Sequence, residues 1–180
     1  ATGTTGAVVH YTASADDATS DLASFACAPA SGSLFAIGST VVTCTATDNA
    51  GLGATGVFTV TVNDTIPPVI TATTPSVNSL WPPNHQMVPV TITVAATDNL
   101  GPAPVCSVSG VASNEPQNGL GDGDTPSDWL LTGGLTLQLR AERAGRGDGR
   151  TYTIGINCID ASGNATTSST IVTVPKSQGR

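Results

Sequence analysis

Apolar and polar residues alternate with a period of two along most of this chain, and no stretch repeats at the helical period. Phe58, Val60 and Val62 alternate with Thr59 and Thr61. Val90, Ile92, Val94 and Ala96 alternate with Thr91, Thr93 and Ala95. Leu135, Leu137, Leu139 and Ala141 do the same against Thr136, Gln138, Arg140 and Glu142, and Tyr152, Ile154, Ile156 and Cys158 against Thr151, Thr153, Gly155 and Asn157. Successive side chains of a strand point to opposite faces, so each run predicts a strand with one buried and one solvated face. Short strands separated by Gly, Pro, Asn and Asp turns favour an antiparallel sandwich over a barrel.

One supersecondary unit is written twice. Thr43–Gly51 followed by Val57–Val62 closes the first third of the chain, and Asn157–Asn164 followed by Thr170–Val174 closes the last. Each copy is a Cys-bearing strand, an Asp-x-x-Gly turn and a Thr/Val strand, the pattern of a β-hairpin. Two terminal hairpins in 180 residues predict two modules. The boundary falls at Asn63–Pro68, where a proline pair cannot continue a ladder. The expected organisation is all-β, two tandem antiparallel β-sandwiches at 1–66 and 67–180.

Composition changes the picture in three ways. Aromatics make up only 4% of residues, so the cores must be built from aliphatic side chains and threonine methyls. Modules this small bury too little apolar surface to be comfortable alone, and four cysteines fit that need. Of the three possible pairings, the one keeping each bridge within its own repeat is preferred: Cys27–Cys44 and Cys106–Cys158. The absence of C-x-x-C argues against zinc or thioredoxin-type chemistry. Disulfides imply an oxidising compartment, so the protein is expected to be secreted or at a cell surface. A net charge of −7 with one lysine, Lys176, excludes nucleic-acid binding by phosphate neutralisation. No run of about 18 apolar residues predicts a membrane helix. The chain opens at Ala1 without a leader and is expected to be a processed or excised piece of something longer. Asn63 and Asn164 sit in Asn-x-Thr sequons, which matter only where the source glycosylates them.

The first module resembles a hyalin repeat, an immunoglobulin-like module of extracellular proteins. The resemblance rests on Gly6–Tyr11, Phe25-Ala-Cys27, Ser31-Gly-Ser33, Phe35, Gly38–Asp48 and Phe58–Val62, ending in Asp64-Thr65 and Pro67. Such repeats open with a Pro-led strand before the Gly6 region, and here that strand is missing. The second module resembles Ig-like domains that follow such repeats in large secreted bacterial proteins, through Leu80–His85, Ser113–Pro116, Gly121–Asp124 with Asp128-Trp129, and Leu139–Arg143. The resemblance implies two tandem immunoglobulin-like antiparallel β-sandwiches, and a role that goes no further than surface or matrix architecture.

Candidate chemistry concentrates in one loop. Asp122, Asp124 and Asp128 form Asp-x-Asp-x-x-x-Asp in a Gly-rich stretch, with Glu115 and Asn118 close by. Hard cations such as Ca²⁺ take six to eight oxygens, and close carboxylates on a flexible loop supply them. The competing reading pairs these acids with Arg140, Arg143 and Arg150. Asp48, Asp98 and Asp160 each precede a turn and are explained by turn chemistry. Arg146-Gly147-Asp148 lies between two strands and is a hairpin turn before it is an integrin ligand. Trp81 and Trp129 either plug the sandwich or stack on sugar rings. Catalysis has little to work with: His10 and His85 are the only histidines, and no G-x-S-x-G elbow exists.

These observations point to a non-catalytic extracellular structural or adhesive module, a spacer or building block of a surface protein or filament. The alternative is a Ca²⁺-dependent carbohydrate- or protein-binding module appended to a secreted enzyme. The expected partners are other copies of the chain or neighbouring surface proteins, with glycans as a further candidate. The missing strand bears on this, because an edge left unpaired is a template for strand addition. A head-to-tail contact, with the Ile171–Val174 strand or the tail beyond it as donor, would not close and would build a filament.

Overall fold

The computed structural model describes residues 5–18, 21–117 and 127–177. It contains twelve strands and no helix among those residues: β1 (Ala7–Val9), β2 (Leu22–Ala28), β3 (Ser33–Phe35), β4 (Gly38–Asp48), β5 (Gly53–Val62), β6 (Val69–Pro75), β7 (Met87–Thr97), β8 (Val105–Ser113), β9 (Trp129–Leu131), β10 (Thr136–Arg140), β11 (Gly149–Ile159) and β12 (Ala165–Pro175). The pairings between them are antiparallel throughout. The chain divides into two compact units, Ala1–Ile66 and Pro67–Arg180.

In the first unit β1 pairs with β3, and β2, β4 and β5 form a second sheet in that order. Among the described residues Phe35, Val42 and Val62 form its buried core, with Val9, Tyr11, Phe58 and Val60 packed against them. Tyr11 sits edge-on to both Phe35 and Phe58, at centroid distances of 6.4 and 5.0 Å. Gly6, at φ +135°, brings β1 against β3 so closely that a Cβ there would lie 1.9 Å from the Phe35 carbonyl oxygen. Only glycine allows that approach.

The second unit has two fuller sheets, β6-β7-β10-β9 and β12-β11-β8. The alternating runs become core from both sides: Val90 and Ile92 of β7, Leu137 and Leu139 of β10, Tyr152, Ile154, Ile156 and Cys158 of β11, and Val172 and Val174 of β12. β7 and β11 extend past their alternating runs, whereas β10 covers only Thr136–Arg140 of its own. β6 pairs with β7 from Val69↔Thr97 to Pro75↔Ile92. The chain after it crosses to the other sheet, where Ser79 bridges Thr173 in parallel and Leu80 N donates to Thr173 O at 2.8 Å. One strand and its extension thus tie together both sheets of this unit.

Both disulfides are cross-strand pairs within a sheet: Cys27–Cys44 joins β2 to β4 and Cys106–Cys158 joins β8 to β11. The repeated hairpins are β4–β5 and β11–β12.

Candidate functional site

The base of the acidic loop is a buried polar network in the second unit, and its centre is Arg150. The residue begins the alternating run of β11 at a core-facing position and is 0% exposed. A bare guanidinium there would be untenable, and every arm of it is met. Nη1 donates to Asp128 Oδ2 at 2.5 Å, Nε to Glu115 Oε2 at 3.2 Å and Nη2 to the Pro116 carbonyl at 3.3 Å. Nη1 also reaches the Tyr152 hydroxyl at 3.3 Å, and the guanidinium lies 5.7 Å from that ring's centroid. Burial works against the charge, but the bond to Tyr152 and the carboxylates of Asp128 and Glu115 outweigh it and raise the Arg150 pKa above its ordinary value.

Around this centre the same residues also hold the backbone. Glu115 Oε2 accepts from Ala144 N at 2.8 Å, and Asp128 O from Arg140 N at 2.8 Å. Tyr152 donates its hydroxyl to Arg140 O at 2.8 Å, and burial pushes its pKa up to about 12 against the pull of Arg150. Arg140 clamps the carbonyls of His85, at 2.8 Å, and Ser127, at 3.1 Å. Those two residues are the described non-glycine positions with positive φ, 63° and 68°. A left-handed non-glycine backbone persists only where its surroundings over-determine it, and the Arg140 fork does so here. His85 places Nδ1 2.9 Å from Oε2 of Glu142, a carboxylate that is 0% exposed.

Of the residues expected to ligate Ca²⁺, Asp128 and Glu115 are thus engaged by Arg150, and Asn118, Asp122 and Asp124 lie outside the described residues. Arg143, weighed as another partner for the acids, instead binds the carbonyls of Ala144, Pro175 and Lys176. The turn acids serve their turns. Asp48 accepts from Leu52 N, Asp98 from Leu100 N, and Asp160 from the backbone of Ser162 and Asn164 and from the Asn164 amide. Burial raises the Asp160 pKa, but these four-residue turn bonds outweigh it and leave it below the usual carboxylate value. Sequence spacing does not bring Asp98 and Asp160 together, yet their carboxylate oxygens lie within 4.8 Å of one another. Two carboxylates at that separation have the chemistry to share a hard cation.

The two tryptophans part company. Trp129 packs on the core, edge-on to Tyr152 at 6.3 Å, whereas Trp81 is 41% exposed. Arg146 and Gly147 lie in a turn over Ala144–Gly147, closed by Gly147 N donating to Ala144 O at 3.1 Å; it is not the hairpin turn expected from the sequence, because the strands on either side of it, β10 and β11, belong to different sheets. His10 is exposed and lies just past the end of β1.

The family model of the HYR domain matches residues 1–62, within the first unit. That unit is a HYR-like module, in agreement with the resemblance carried by its cysteines and its Thr/Val hairpin. No curated protein is similar to the chain.

Proposed function

We propose that the chain is a non-catalytic structural or adhesive part of an extracellular assembly, a spacer or building block of a surface protein or filament. The HYR match over residues 1–62 carries this reading. Two disulfides support it, because they persist in oxidising compartments. The polar network in the second unit supports it too: its buried charges answer one another and hold backbone, as a framework requires. The loop base works as a structural ion pair in this reading, not as a Ca²⁺ site.

A membrane-impermeant amine reagent tests the location on intact source cells, because Lys176 is 57% exposed. Labelling before lysis is expected; labelling only after lysis overturns the reading. The exposed Trp81 gives a test of the competing class. Saturable quenching of its fluorescence by glycans would replace a structural role with a carbohydrate-binding one.

A further inference from the structure

The segment between β10 and β11, residues 141–148, crosses from one sheet of the second unit to the other and is anchored on both sides. Ala144 N donates to Glu115 Oε2 at 2.8 Å, and Ala144 O accepts from Arg143 Nη1 at 3.3 Å. Arg143 is itself tied to the end of β12 through the carbonyls of Pro175 and Lys176. On the far side Arg150 is 0% exposed and held by Asp128 and Glu115. Gly147 also has a structural reason. A Cβ there would lie 2.8 Å from Glu115 Oε1, and Glu115 is fixed in place by Arg150 and by Ala144 N.

Arg146 and Asp148, on either side of that glycine, have no such reason. Both are exposed. Arg146 makes no hydrogen bond or ion pair among the described residues, whereas Arg140, Arg143 and Arg150 each clamp carbonyls or carboxylates of the framework. Asp148 has Lys176 Nζ at 3.6 Å, but its side chain is fully exposed and that of Lys176 is 57% exposed. A pair so solvated holds a loop only weakly. The fold accounts for the glycine and leaves a guanidinium and a carboxylate, two residues apart, held out in solvent.

We infer that Arg146-Gly147-Asp148 is a two-pronged recognition loop for an integrin-type receptor, one that offers carboxylate to the guanidinium and a bound divalent cation to Asp148. Each prong has its own chemistry. A guanidinium meets a carboxylate through a fork of two parallel bonds. A lone exposed carboxylate supplies one of the several oxygens that a hard cation takes, and the receptor supplies the others. Because the loop is anchored at Ala144 and at Arg150, little of its freedom is left to lose on binding. The hairpin that would have explained these residues without a partner does not exist, since β10 and β11 lie in different sheets. A receptor of this kind presupposes the extracellular, adhesive role proposed above and names a partner for it.

The test is surface plasmon resonance of the full chain over the purified ectodomain of an integrin that binds Arg-Gly-Asp peptides, first in Mn²⁺ and then in EDTA. Saturable binding is expected in Mn²⁺ and its loss in EDTA. Competition is expected from the peptide Gly-Arg-Gly-Asp-Ser and not from Gly-Arg-Gly-Glu-Ser. Asp148→Ala removes a fully exposed carboxylate and is expected to weaken binding about thirtyfold or more. Arg146→Lys keeps the charge but loses the fork, and is expected to weaken binding about tenfold. No saturable binding, binding that persists in EDTA, or binding indifferent to both substitutions overturns the inference. Labelling of Lys176 on intact cells without integrin binding would keep the extracellular reading and remove this one.

Discussion

Arg150 carries a full charge with no exposure to solvent, and two carboxylates from distant parts of the second unit make that tolerable. Such a pair contributes little against a well-packed apolar substitute, but removing one partner strands the others. Arg150→Met is expected to destabilise the second unit by about 3–5 kcal/mol, measured by denaturant unfolding. The triple change with Asp128→Leu and Glu115→Gln is expected to recover a large part of it. Tyr152 adds a pH signature. An unfolded tyrosine titrates near 10, whereas burial pushes Tyr152 up to about 12. The folded state prefers the neutral phenol, so this stabilisation is complete below about pH 10 and is lost as pH rises through about 12. Unfolding free energy followed between those values should fall more steeply for the wild type than for Tyr152→Phe.

Among elements, the two hairpins share a design but differ in what their disulfides close. Cys27 and Cys44 are 17 residues apart and Cys106 and Cys158 are 52 apart. Chain-entropy reasoning gives about 3 kcal/mol for the first loop and about 4 kcal/mol for the second. The shorter bridge nevertheless matters more, because among the described residues the first unit has three buried core hydrophobics to set against its chain entropy and the second has twelve. Replacing Cys27 and Cys44 by Ser is expected to unfold the first unit at ambient temperature. The same change at Cys106 and Cys158 should leave a folded second unit with a lower Tm. Circular dichroism with hydrogen exchange resolved by residue distinguishes the two outcomes.

For the molecule as a whole, the difference in core size predicts the order of unfolding. Amides of β4 are expected to exchange through a lower-energy opening than those of β11. Comparable protection of β4 and β11 in the free chain would contradict this. Much of the architecture is local in origin and could be read directly. Period-two alternation gives strands such as β7, β10 and β11, and Asp-x-x-Gly turns give hairpins, because side-chain direction and turn geometry depend on a few neighbouring residues. The boundary at Pro67-Pro68 is local in the same sense. The candidate site is not. Asp128 and Glu115 look like cation ligands as long as only their neighbours are considered, and only the fold sets Arg150 between them, across 22 and 35 residues of chain. The approach of Asp98 to Asp160 likewise depends on which turns meet at one end of the second unit. The sequence by itself determined the strands, their turns and the class of fold, since those follow from short-range backbone preference and burial. Tertiary structure alone decided which charges neutralise one another, because that depends on distances between residues far apart in the chain.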